Sequence, residues 1–224
     1  MAAPAQVPDW MRPQGLPEHR MPSAQALQRL QAGNVRHRQQ RAGNAPPPGD
    51  ATPAGYPFAV VLGCLEPGAV GEHLFAEKPG AIEVVRNAGP SLGTDAMAAV
   101  EYAALVQNVG VVLVLAHQGC GVLAAAAAAR AAGDLPLPGL LGPWVPLAAA
   151  GTRLGDPAVG HVRALRWALR RADSLLGLTR SGRLKIAAGV LDPVTGAIEF
   201  LPDEPDEVED DSTSTRVNVV TYGS

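Results

Sequence analysis

Val109-Gly110-Val111-Val112-Leu113-Val114-Leu115-Ala116 runs without a break into His117-Gln118-Gly119-Cys120-Gly121. A short, apolar, β-branched stretch with a glycine near its start reads as a buried parallel strand. A second run of the same kind, Pro57-Phe58-Ala59-Val60-Val61-Leu62-Gly63, ends on Cys64. Ligands at the carboxyl ends of neighbouring parallel strands converge on one crevice. Two thiols and an imidazole so placed suit Zn2+ with a fourth position available. A disulfide or a pair of inert core thiols is the alternative for two cysteines, since HxxC spacing also arises by chance. The strand context favours zinc.

Outward from these two runs, strands and helices alternate. Ser23 is expected to cap a helix over 23–41, with Ala26, Leu27, Leu30 and Val35 approximating an apolar stripe. Residues 43–55, with Pro46-Pro47-Pro48, read as a loop. A short helical segment is expected near 70–76 and a strand over 81–85, ending in Arg86-Asn87-Ala88-Gly89. A helix over 94–108 then places Ala98, Tyr102 and Leu105 on one face, and an alanine-rich helix over 121–132 follows the His117 strand. Residues 133–160, rich in Pro and Gly and containing Trp144, suggest an ordered excursion over a surface. Residues 161–176 return to a helical pattern with Val162, Leu165, Leu169 and Leu176 inward and Gly177 as its stop. A strand over 184–191, a turn at Asp192-Pro193-Val194-Thr195-Gly196 and a strand over 197–201 finish the pattern. The expectation is one α/β domain over 23–202, with a mostly parallel central sheet flanked by helices and closed by a hairpin. It is preceded by an extended, Pro-rich arm (1–22) lying on a partner subunit.

Composition narrows the functional classes. The 224 residues suffice for one sizeable core. Their 47% hydrophobic content is largely alanine and only 4% is aromatic, so packing is expected to rely on Val, Leu and Ala. The net charge of -3 hides an asymmetry: seven of the 21 acidic residues lie between Asp203 and Asp211, while residues 1–202 carry 17 bases and 14 acids. Such a block is read as a solvated, disordered tail over 203–224. Scattered arginines without interleaved aromatics give no support to nucleic-acid binding. No apolar stretch reaches the roughly 18 residues of a membrane span, and the first residues lack the pattern of a signal peptide. A cytoplasmic protein with reduced thiols is expected.

With these elements placed, the chain resembles the β-class carbonic anhydrases from about residue 26 to 201. The resemblance is carried by Ala26-Leu27, Leu30 and Gly33-Asn34; by Gly63-Cys64, Val84-Val85-Arg86-Asn87-Ala88-Gly89 and Glu101-Tyr102-Ala103; and by His117-Gln118-Gly119-Cys120-Gly121, Asp192 and Thr195-Gly196. It implies Zn2+ held by Cys64, His117 and Cys120. It also implies reversible hydration of CO2, or of a close electrophile such as COS or CS2, by zinc-bound hydroxide. Active sites at a subunit interface are implied too, hence a homodimer or larger homo-oligomer.

One departure is large. The family pattern after the first cysteine is Cys-Ser-Asp-Ser-Arg, whereas this chain reads Cys64-Leu65-Glu66-Pro67-Gly68. The family's Asp accepts a hydrogen bond from the metal-bound water and its Arg holds that Asp away from the metal. Here the carboxylate is one methylene longer and the guanidinium is gone, which is expected to weaken CO2 hydration. Glu66 could take the Asp's catalytic role, close on zinc as a fourth ligand, or sit in solvent as an ordinary loop carboxylate. Pro67 restricts its backbone, and Gly68 removes bulk that a larger substrate could use. That opens two alternatives: a zinc lyase or hydrolase of specialised metabolism, or a non-catalytic zinc protein. Arg86 reads as a structural or interface residue, Glu72 and His73 as surface residues, and the His161 helix as scaffold. Leu191 stands where the family commonly has Tyr.

Overall fold

The computed structural model describes residues 7–12, 20–44, 55–68, 71–133, 138, 139, 141, 144 and 156–203. Most of the arm, the polyproline loop, much of the 133–160 excursion and the acidic block after Asp203 lie outside these residues. Within them a five-stranded sheet has the order β2-β1-β3-β4-β5. Its strands are β1 (Ala59–Cys64), β2 (Ile82–Asn87), β3 (Val111–His117), β4 (Lys185–Leu191) and β5 (Ile198–Phe200). The first four are parallel, and β5 pairs antiparallel with β4 through the 192–196 turn. Every residue of β1 and β3 is buried. Continuous apolar runs are what a sheet covered on both faces demands.

The two faces are packed by different elements. Val60, Leu62 and Cys64 alternate onto one face with Val112, Val114 and Ala116. There they meet α2 (Thr94–Glu101), α3 (Gly121–Ala131), α4 (Pro157–Arg171) and α5 (Asp173–Arg180). Val61, Leu113 and Leu115 face the other way, onto α1 (Ser23–Arg41) and the 3-10 turn Glu72–Phe75. The connection from β1 to β2 therefore covers one face, and the chain from β3 to β4 covers the other. At the β1/β3 boundary the loops diverge, and their carboxyl ends open the crevice expected where strand order reverses.

Several local expectations are corrected. Ser23 does not cap α1: Pro22 holds the cap position, and Ser23 Oγ instead donates to the Gly182 carbonyl at 2.8 Å. Val35 is 50% exposed, and the inward face of α1 is completed by Gly33 and Asn34. The helix after β2 stops being α-helical at Glu101 and continues as a wider π turn over Tyr102–Val106. Its inward residues are Ala96, Val100, Ala103, Ala104 and Val106, so Ala98 and Tyr102 face outward. The predicted 161–176 helix is two helices, meeting at Ala172. Leu175 is buried there in place of Leu176, and Gly177 lies inside α5. Apolar spacing gives the period of a helix but not a break of this kind. The core is built from Val, Leu and Ala, with Phe58 and Phe75 its only buried Phe, Tyr or Trp among the described residues.

Gly33 and Asn34 show why that dipeptide stands in α1. A Cβ at position 33 would sit 2.2 Å from the Phe75 carbonyl oxygen. Buried Asn34 donates to the carbonyls of Leu74 and Gly196 at 3.0 and 2.9 Å and accepts from the Ile198 N–H at 3.0 Å. One side chain thus joins α1, the 3-10 turn and the β4–β5 hairpin. Asn34→Ala strands these backbone groups and is expected to cost about 2 kcal/mol in urea unfolding. A loss under about 0.5 kcal/mol would show that the three elements hold together without it.

Candidate metal centre

The parallel register brings the distant chemistry together. Gly63 pairs with Leu115, so Cys64 and His117 leave the carboxyl ends of adjacent strands almost level. Gly119, at φ +67, turns the chain back so that Cys120 forms the N-cap of α3. A side chain would be strained in that left-handed conformation. The Cys64 and Cys120 sulfurs are 3.7 Å apart, and both thiols are free and buried. Glu66 Oε2 lies 3.5 Å from His117 Nε2, and Glu66 Oε1 lies 3.9 Å from Cys120 Sγ. One donor atom from each of Cys64, Glu66, His117 and Cys120 falls within 4.8 Å of the other three.

This donor set fits a tetrahedral metal. Two thiolates about 2.3 Å from one zinc lie about 3.8 Å apart at the tetrahedral angle, against the 3.7 Å separation here. His117 points its buried Nε2 into the cluster with no hydrogen-bond partner. Its other nitrogen, Nδ1, lies 3.1 Å from the Gln118 carbonyl, which orients the ring. The electrostatics agree. The hydrogen bond shared with Cys120 pushes the Cys64 thiol down to about 4, with His117 adding to the effect against the opposing burial. Cys120 is pushed up by the same contact and by burial, and His117 is pushed up chiefly by Cys64. Two thiols sharing negative charge beside an imidazole make a site that a cation stabilises.

The loop after β1 is clamped rather than loose. Arg86 donates through Nε to the Cys64 carbonyl at 3.3 Å and through Nη2 to the Leu65 and Glu66 carbonyls at 2.8 and 3.0 Å. The guanidinium binds loop backbone and not the Glu66 carboxylate, which makes Arg86 a structural residue. Asn87 closes the next turn by bonding Ser91 in both directions, at 2.8 and 2.9 Å. Trp144 Nε1 donates to the Ala88 carbonyl at 2.9 Å, and fully buried His161 bonds the Pro90 carbonyl through Nε2. From within α4, His161 thus braces this loop. His73 pairs edge-on with His37 at 5.8 Å between ring centres, and neither it nor Glu72 belongs to the donor cluster.

Glu66 is not a solvated loop carboxylate. Its Oε1 accepts the Val122 N–H at 3.1 Å, in the first turn of α3. The exposed N–H groups and positive end of a helix favour an anion there. Gly121 leaves the room: a Cβ at that position would come within 3.2 Å of the same oxygen. Sequence reasoning missed this contact because a backbone N–H has no signature of its own; the glycine between Cys120 and an alanine-rich helix was the available clue. A cavity of about 400 Å3 opens beside His117 and Cys120, lined by Leu123, Ala124, Pro157 and Ala158 and by the carboxylate of Asp156. Asp156 also caps α4 by accepting the Ala158 N–H at 2.8 Å.

Comparison with known proteins agrees with this geometry. A family model described as carbonic anhydrase matches residues 59–156. Carbonic anhydrase 2 of Mycobacterium tuberculosis is 39% identical over 80 residues, covering 36% of this chain and 39% of the relative. The chain thus spans about two fifths of the length of the first relatives it matches. The match to a carbonic anhydrase of Pseudomonas aeruginosa is longer, 30% identical over 164 residues, covering 65% of this chain and 73% of that one. Among solved structures, the fold is similar to the β-carbonic anhydrase CcaA, with a TM-score of 0.56 at 18% identity over 67% of this chain and 85% of that one. It is also similar to tetrameric β-carbonic anhydrases of Sordaria macrospora, with a TM-score of 0.53 at 17% identity over 80% and 93% of the two chains. With the sequence match extending over most of the Pseudomonas enzyme and the same mostly parallel sheet carrying Cys64, His117 and Cys120, this chain belongs to the β-carbonic anhydrase family.

Proposed function

We propose that Cys64, His117 and Cys120 hold Zn2+ and that the protein reversibly hydrates CO2, with an activity limited by Glu66. The observation that carries this reading is the pair of sulfurs 3.7 Å apart beside a buried His117 Nε2 that makes no hydrogen bond. When bound, zinc supplies an acidified water and an open coordination position. The protein's part is to aim and protect that position. Arg86 fixes the Cys64 loop, Gln118 orients His117, and Leu123 and Ala124 form one apolar wall of the adjoining cavity.

Glu66 decides how open the site is. A fourth donor at a tetrahedral corner lies roughly 3.3 to 3.6 Å from its neighbours when bond lengths are 2.0 to 2.3 Å. Glu66 Oε2 lies 3.5 Å from His117 Nε2 and Glu66 Oε1 3.9 Å from Cys120 Sγ, so the carboxylate would be within reach of a metal held by the other three residues. In this position it competes with substrate water; turned away, it can accept a proton. The second reading, a closed zinc site without catalysis, rests on the same 3.5 Å separation. Stopped-flow CO2 hydration with metal-replete protein separates the two, with COS and CS2 as parallel substrates. Weak hydration that disappears on chelation is expected. No turnover of any of the three by fully zinc-loaded protein would overturn the enzymatic reading.

A homo-oligomer is part of this proposal, supported by the fold shared with the tetrameric enzymes of Sordaria macrospora. No helix among the described residues is long and apolar enough to cross a membrane.

A further inference from the structure

Asp203 opens the acidic block, yet it is held on the surface by two cations. Arg170 Nη2 and Lys185 Nζ each reach its carboxylate at 2.7 Å, and Arg166 donates to the preceding Pro202 carbonyl at 2.8 Å. This carboxylate enters a groove of about 520 Å3 where α4, α5 and the start of β4 meet. Arg170, Arg171, Arg180 and Lys185 all line the groove, and Asp203 is the only acidic residue lining it among the described residues. The sequence continues Glu204-Pro205-Asp206-Glu207-Val208-Glu209-Asp210-Asp211, six acids in eight residues.

We propose that this basic groove is a docking site for the chain's own residues 204–211, bound in cis with Asp203 as its first anchor. Charge complementarity selects the occupant: Arg170 and Lys185 already hold Asp203, the start of the segment, and the same groove is also lined by Arg180 and by Arg171, which stacks on Trp167 at 4.5 Å. Reach selects the copy, because eight residues extend about 27 Å at most from an Asp203 that is already in place. A tethered segment binds at an effective concentration in the millimolar range. Several individually weak, exposed ion pairs can then act together, and their sum must be sensitive to salt. Lys185 begins β4, whereas the Leu191–His117 pair lies at its other end. The groove is therefore at the opposite end of the sheet from the metal centre.

The test is digestion of the full chain by a glutamate-specific protease, with cleavage after Glu207 and Glu209 followed by mass. A free peptide of residues 203–211 reports the protease's own response to salt. At about 20 mM salt the segment in the protein is expected to be cut at least about five-fold more slowly than in the peptide, and the difference should vanish near 500 mM. Arg171→Glu with Arg180→Glu should abolish the protection at low salt with an unchanged circular dichroism spectrum. If those changes unfold the protein, the salt series on the native chain still decides. Cleavage at the peptide's rate in low salt, or undiminished protection in the folded double variant, would overturn the proposal. Protection that falls on dilution would place the segment on a second copy and overturn the cis assignment.

Discussion

Cys64→Ser, His117→Ala and Cys120→Ser are each expected to reduce zinc from near one per chain to a small fraction, lower the melting temperature, and abolish CO2 hydration. Residues that only orient a metal ligand typically contribute 10 to 100 fold in affinity, so loss of a ligand itself should weaken binding by more than about 100 fold. Each variant also leaves the other two donors buried without their counter-charge, which is why stability should fall together with metal. Elemental analysis after dialysis, with thermal unfolding in parallel, checks this. Full zinc in any two of the three variants would sink the ligand set.

Rebuilding the family loop as Glu66→Asp, Pro67→Ser and Gly68→Arg is expected to raise CO2 hydration by roughly 10 to 100 fold at matched zinc, the typical contribution of an orienting contact beside a metal. Shortening the carboxylate by one methylene draws it back from His117 Nε2, now 3.5 Å away. An arginine at position 68 would hold it there. The backbone makes the triple change the meaningful one. Gly68 has φ +74, a left-handed conformation that costs a non-glycine residue about 1 to 2 kcal/mol. Gly68→Arg alone should therefore lower stability with little gain in rate, whereas relief of the Pro67 restriction lets the loop adopt a conformation that an arginine tolerates. A Cβ at position 68 meets nothing within 4 Å, so space is not the obstacle. Hydration measured by stopped flow in the native chain, the single variant and the triple variant checks this. Activity unchanged by the triple variant would refute the idea that Glu66 limits the chemistry.

The Glu66 carboxylate has a backbone partner in the folded chain. The missing Arg at position 68 leaves Glu66 without the family's partner, and on sequence alone the carboxylate looked unheld. In the folded chain it is held, by the Val122 N–H at the start of α3. Arg86, the nearest candidate by sequence, is committed to three loop carbonyls instead. The difference between these two answers is invisible in a list of side chains, since one partner is backbone and the other is occupied by backbone.

The sequence by itself pointed to buried parallel strands ending on Cys64 and on His117, because short, β-branched apolar runs bounded by glycine or proline suit a sheet covered on both faces. It determined that two thiols and an imidazole follow those runs, and it exposed the substitution of Glu66-Pro67-Gly68 in the adjoining loop. Helix content followed from period and composition, but ends and breaks did not. The Ala172 junction, the π turn after Glu101 and the outward face of Ala98 and Tyr102 depend on which neighbours each turn meets. Only the tertiary structure decided the strand order, which sets β1 beside β3 and converts 53 residues of separation into adjacent strand ends. It alone decided that Glu66 turns inward to α3 and that Asp203, though exposed, is paired with Arg170 and Lys185. The physical reason is common to these cases. Burial and periodicity are properties of a segment and can be read along the chain, whereas pairing a carboxylate with a particular N–H or cation depends on geometry that exists only once the segments have packed.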